Sequence, residues 1–339
     1  MVVESANREF DASFRLTKTI AELIKQQELT LKNYDTALFE AILSEVKEQK
    51  EKLLVDKLHS IRSKVENEHL ARAITLAQEK GAGAWLTVLP LQSLGYTLNK
   101  QEFRDSIRLR YGWPIPEIPI YCVCGKKNDV DHTLTCKTGG HIIFRHNKIR
   151  DINAEFLQQV CHNVQLEPEL ISIESADFKV QGNNQDKARL DIAACGMWGP
   201  FQKSMFDVRI FHPNSASYKN KDLSKIYKLH EKEKCRSYQQ RVLQVEKASF
   251  TPLVYSTAGG MAEQALIFHK KLAYMIAEKT GERYSDIINC MRAKISFAML
   301  RSVLISVRGN RGKIKRTYDV PLASLSFNLI PNINSYECL

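Results

Sequence analysis

Apolar residues recur every three or four positions early in the chain, at Leu16, Ile20, Leu23 and Ile24 and again at Leu38, Ile42 and Val46. Charged residues fill the other faces, which is the helical period. From 47 to 79 neither Pro nor Gly interrupts a run rich in Glu, Lys, Leu, Ala and Arg. The pattern predicts a helical region over residues 1–110, broken at 81–86 by Gly81 and Gly83 and resumed at 99–110. Pro114, Pro116 and Pro119 then impose an extended linker. A domain boundary is expected there.

Beyond the linker the period changes. A cysteine- and histidine-bearing segment at 122–136 leads into a helix predicted over 145–163 and a strand-like stretch over 164–173. A loop follows at Gly182, Asn183 and Asn184. Two short strands are predicted at 189–194 and 205–211, separated by the turn residues Gly196, Gly199 and Pro200. A charged helix over 221–247, a buried strand over 252–257 and helices over 261–280 and 284–307 complete the pattern. The order is helix, three strands, helix, strand, then helices, an α/β (α+β) chain.

The 339 residues include 49 Lys and Arg against 38 Asp and Glu, a net charge of +11, and 44% are hydrophobic. Such a chain can bury a full core, and its excess charge favours a polyanionic partner. No run approaches the roughly 20 apolar residues of a membrane span, and the first residues do not form a signal peptide. The expectation is a soluble, non-secreted protein with no membrane partner. Of eight cysteines only Cys122, Cys124 and Cys136 cluster. The others read as isolated thiols, which suits a reducing compartment.

Cys122, Cys124, His132 and Cys136 place three thiols and one imidazole within fifteen residues. Four such ligands on a short loop suit a closed, tetrahedral structural zinc site, and Gly125 supplies the backbone freedom of the turn. A second constellation lies on the predicted strands. Leu190, Ile192 and Ala194 share one face and Asp191 the other; Phe206, Val208 and Ile210 oppose Asp207 and Arg209. Adjacent strands bring Asp191 and Asp207 together, and a divalent cation relieves the repulsion of two close carboxylates. On the following helix Tyr227, Glu231, Lys234, Tyr238 and Val242 share a face. Lys234 is therefore expected to point inward and Lys232 outward. An inward lysine beside paired carboxylates can steady a phosphate.

Further polar candidates surround this pair. Arg145, His146 and Asn147 open the predicted helix, and His146 is a candidate for proton transfer. Glu167 is a candidate third metal-facing carboxylate, expected to be extended because Pro168 follows. Between 287 and 318, Arg292, Lys294, Arg301, Arg308, Arg311, Lys313, Lys315 and Arg316 occur with no acidic residue before Asp319. That segment reads as a phosphate-contacting surface with a flexible loop at 308–313.

Together these residues resemble one module: the C-terminal restriction-like endonuclease, of the PD-(D/E)XK class, found in early-branching site-specific non-LTR retrotransposons. The resemblance covers roughly 80–310. It rests on the Cys-Cys-His-Cys knuckle, Arg-His-Asn at a helix start, Glu-Pro, the strand Asp191, Asp207-Val208-Arg209 and the helical Lys234 followed by Tyr238. It implies an αβββαβ core over 145–257, within an endonuclease domain over 141–317 that follows the linker and knuckle at 111–140 and precedes a tail at 318–339. It also implies structural zinc and catalytic Mg²⁺ or Mn²⁺ held by Asp191, Asp207 and the Val208 carbonyl. DNA, or the element's RNA, becomes the expected partner, with Arg145, Asn147, Arg292, Lys294, Arg301, Arg308, Arg311 and Lys313 contacting it, and the nucleus the expected compartment. Two positions depart from the pattern. Leu190 stands for proline, and Arg209 stands where lysine is expected and cannot act as a base. A non-cutting nucleic-acid-binding module is the alternative expectation, and a helical interaction protein with an incidental basic surface a third.

Overall fold

Strand β3 (Lys203–Phe211) organises the computed structural model, which describes residues 36–171 and 188–309. Its neighbours are the antiparallel β2 (Ile192–Cys195) and the parallel β4 (Ser249–Ser256), and β1 (His162–Leu166) forms the other edge of a four-stranded sheet ordered β1-β2-β3-β4. The fold is mixed α/β. The predicted apolar run Leu16 to Ile24, the loop at 182–184 and the residues from 310 onward lie outside the described residues.

The chain divides into two units, Met1–Ala71 and Arg72–Leu339. Within the first unit, helix α1 (Thr36–Ser63) leaves Leu43, Leu53, Leu54 and Val55 more than half exposed. The division falls near the start of α2 (Glu68–Ala77) and not in the proline-rich stretch. After α2 come the short α3 (Ala84–Thr87), α4 (Lys100–Tyr111), α5 (Val130–Thr135) and α6 (His141–Val160). A reciprocal cap starts α4: the Asn99 side chain accepts from the Glu102 amide while the Glu102 carboxylate accepts from the Asn99 amide, satisfying donors that a helix start otherwise leaves open. The prolines do not produce a free linker. Ile115 is buried with Leu134, Val303 and Val307, so this stretch docks on the last helix.

Both faces of the sheet are covered. Phe206 and Val208 pack with Ile149 and Leu157 of α6, with Phe268 and Leu272 of α8 (Glu263–Thr280), and with Ile295 and Met299 of α9 (Tyr284–Arg308). Ala193 and Met205 instead meet Val242 of α7 (Leu223–Gln244). The strand period therefore separates Phe206 and Val208 from Met205 and Asp207 as expected. Ala193 is also buried, because α7 covers the face that alternation alone would leave to solvent.

Several boundaries differ from the sequence expectation, three of them beside the predicted site residues. Helix α6 begins at His141, following Gly139 and Gly140 at positive φ (91° and 72°), so Arg145, His146 and Asn147 sit one turn inside it. β1 stops at Leu166 because Glu167 takes φ +48° and is not extended, although Pro168 follows. β2 starts at Ile192, and Arg189 keeps only an isolated bridge to Glu169.

A buried polar chain crosses the core. The Tyr255 hydroxyl donates to Asn153 Oδ1 at 3.1 Å and lies 3.0 Å from His269 Nε2. Complete burial, with the Arg292 charge adding to it, pushes His269 down to about 3. Below pH 6.5 the unfolded chain takes up a proton that the folded chain refuses, so stability falls as the medium becomes acidic. Denaturant unfolding at pH 6 and pH 5 should show wild type losing about 1 kcal/mol more per pH unit than His269→Gln. Equal pH slopes would remove this assignment.

Candidate active site and metal centre

The knuckle is built by local backbone bonds. Cys122 N donates to Lys126 O and Gly125 N to Cys122 O, both at 2.8 Å, and Gly125 takes φ +84° to close the turn. Asp129 caps α5 by accepting from His132 N at 2.7 Å. Cys122 and Cys136 sulfurs then lie 3.8 Å apart, Cys124 Sγ lies 3.3 Å from His132 Nε2, and all four donor atoms fall within 4.8 Å of one another. Zn–S bonds of about 2.3 Å in a tetrahedron set sulfurs roughly 3.8 Å apart. Burial opposes ionisation of Cys122, yet hydrogen bonds from the Cys124 amide, His132 and the neighbouring thiols bring it to about 6. This donor set can hold a zinc ion.

The second site lies on the face of β3 that α7 covers. Ile192 pairs with Phe206, so the next rung sets Asp191 opposite Asp207. Asp191 Oδ2 accepts from Val208 N at 2.6 Å and lies 3.2 Å from His146 Nε2, which is also 3.0 Å from the Val208 carbonyl. Lys234 Nζ reaches across from α7 to Asp207 Oδ2 at 2.6 Å, with the Tyr238 ring 5.5 Å from the same ammonium. Lys232 is exposed, as its helical phase predicts.

Charge and burial tune these groups together. Burial pushes Asp207 up to about 6; Lys234 opposes the rise and the Asp191 charge adds to it. Burial works against the Lys234 ammonium, but Asp207 outweighs it and leaves its pKa above the usual lysine value. His146 behaves alike: burial lowers it, and Asp191, Asn147 and the Val208 carbonyl together lift it above the usual histidine value. Burial, then Asp207, raise Tyr238.

Other predicted site residues take different places. The half-exposed Glu167 carboxylate pairs with Arg150 and, at 3.8 Å, with Arg189. Neither arginine was singled out by sequence, although Arg150 lies one turn beyond His146 on α6 and the helical period points to it. Arg209 is exposed on the sheet face of Asp207. Asn147 is half-buried, its Oδ1 3.3 Å from His146 Nδ1.

The basic segment is corrected most. Arg145 is 2% exposed and donates to Leu134 O at 2.9 Å, so it holds the knuckle helix to α6 and is closed to a phosphate. Lys294 pairs with Glu155 at 2.6 Å, and Arg301 donates to Thr97 O at 2.8 Å. Arg308 is not in a loop. It ends α9, grips both oxygens of buried Asp105 at 2.7 and 2.9 Å, and donates to Pro116 O. Arg292 lies 3.5 Å from the Asn289 amide oxygen and has no ion-pair partner among the described residues, while Arg311 and Lys313 lie outside the described residues. Arg308→Ala strands a buried carboxylate and is expected to cost about 3 kcal/mol of stability. Chemical denaturation checks this, and a change confined to DNA affinity would contradict it.

No family model matches the chain, and no curated protein is significantly similar to it.

Proposed function

We propose that the chain is a divalent-metal-dependent endonuclease that nicks duplex DNA, with a restriction-like αβββαβ core running from α6 to β4. The observation that carries the reading is the convergence of Asp191, which precedes β2, Asp207 and the Val208 carbonyl of β3, His146 of α6 and Lys234 of α7 around the stretch of β3 beyond its pairing with β2. The donor chemistry suits Mg²⁺ or Mn²⁺. Two carboxylates and a backbone carbonyl are hard oxygen ligands, and like charges facing each other across one rung gain from a cation between them. Asp191, Asp207 and Val208 would hold it. Such an ion supplies a water of lowered pKa and stabilises the leaving oxygen.

The protein's own groups do the rest. The Lys234 ammonium, held by Asp207 and kept protonated, offsets negative charge developing on the phosphate. His146 Nε2 carries a proton between Asp191 and the Val208 carbonyl, where it orients the carboxylate. Arg209 contributes charge only, since guanidinium does not lose its proton. That substitution favours the second reading, a nucleic-acid-binding module that keeps the site without cutting. Incubating the full chain with supercoiled plasmid and Mg²⁺ or Mn²⁺ tests the proposal. Metal-dependent open circles support it, and intact plasmid at every metal concentration favours the second reading.

A further inference from the structure

A groove of about 570 Å³ opens among the 80–88 segment, α4 and α9. Three cations line it: Lys80, Arg110 and Arg292. No carboxylate lines it, and among the described residues none of the three cations has an ion-pair partner. On the same helix Lys294 and Arg308 are each matched to an acid, and Arg301 is held by the Thr97 carbonyl. Arg110 is held in place by its bonds to the Ala77 and Ala82 carbonyls at 3.2 and 3.4 Å. A side chain at Gly83 would come within 3.3 Å of that guanidinium, so glycine there leaves the arginine its room. Trp85 is buried and its amide lies 3.3 Å from Ser296 Oγ, which anchors the glycine-containing segment on α9. The groove is therefore a fixed feature of the fold, with Leu86 and Val88 forming an apolar wall beside the charges.

We propose that this groove holds the sugar–phosphate backbone of a nucleic-acid strand. Phosphates recurring with every nucleotide, about 3.4 Å of duplex axis per strand, can meet several cations at once, and arginine's planar fork matches a phosphate in two bonds. Sugars lie against the apolar wall of Leu86 and Val88. An acidic peptide would bring the same sign of charge but leaves that wall without a partner of matching shape. None of the lining residues belongs to the carboxylate site, so the inference stands whether or not that site cuts.

Binding of labelled single-stranded and duplex DNA to the full chain, titrated between about 50 and 200 mM salt, tests it. Lys80→Gln with Arg292→Gln removes two cations that make no structural ion pair. The log–log salt slope is expected to fall by about 1.4 on the single strand or about 1.8 on the duplex, with an unchanged melting temperature. Lys228→Gln with Lys270→Gln, two exposed lysines outside the groove, serves as the charge-matched control. An equal fall in that control, or no fall in the groove variant, overturns the assignment. So does a groove variant that loses binding to polyglutamate or to a mononucleotide while keeping its DNA slope. Asp191→Asn retains the wild-type slope if the groove acts independently, so failure of the cutting site and failure of the groove remain distinguishable.

Discussion

Asp207→Asn and Asp191→Asn are each expected to lower metal-dependent plasmid nicking by at least about a hundredfold, the scale of losing one electrostatic contact to a transition state. Each change is nearly isosteric, so the sheet keeps its packing while the site loses one of its two anions. In Asp191→Asn the side-chain oxygen still accepts from Val208 N, a bond now 2.6 Å long. Circular dichroism and DNA binding should therefore stay at wild-type levels. Lys234→Met is expected to lose activity similarly, because it removes the ammonium 2.6 Å from Asp207. Lys232→Met, on the exposed side of α7, should leave activity unchanged. Nicking that survives Asp191→Asn and Asp207→Asn combined would sink the assignment of this site.

Zinc removal is expected to damage more than the knuckle. Closed thiolate sites contribute on the order of 10 kcal/mol to the folding of the segment that holds them, and this segment is wired into its surroundings. Leu134 packs with Ile115, Val303 and Val307, and Arg145 of α6 donates to the Leu134 carbonyl. Asp131 Oδ1 lies 2.8 Å from His212 Nε2, and His212 Nδ1 lies 2.8 Å from Thr257 Oγ1 at the ends of β3 and β4. Elemental analysis should find about one zinc per chain. Chelation, or Cys136→Ser, should lower the melting temperature and open the 111–136 stretch to protease. A metal-free protein with an unchanged melting curve would contradict this.

Much of the candidate site was legible because it depends on short-range periodicity. Alternation along β3 assigned Phe206 and Val208 to the core and Asp207 to the opposite side, and helical phase on α7 turned Lys234 inward and Lys232 outward. The knuckle was legible from spacing alone. What escaped depends on partners distant in sequence. Arg308 reads as a loop cation until Asp105, about two hundred positions earlier, is seen beside it. Lys294 and Arg301 are likewise occupied by Glu155 and Thr97. The prolines at 114–119 give the local signature of a linker, and only the burial of Ile115 shows that the stretch is docked. Glu167 escaped for a different reason: the preference imposed by a following proline is statistical, and here the turn out of β1 overrides it.

The parallel pairing of β3 with β4 carries a consequence for the order of assembly. Antiparallel β2 and β3 lie close in sequence and can zip early, bringing Asp191 opposite Asp207. Parallel strands cannot be joined by a tight turn, so β4 must wait for the α7 crossover to swing over the sheet. Lys234 arrives with that crossover. Until then the two carboxylates face each other on an uncovered strand pair, each raising the cost of ionising the other. An emerging chain thus holds its acidic pair before it holds the lysine that balances it. The crossover step, dominated by contacts distant in sequence and slow for that reason, is the point at which the cluster becomes complete.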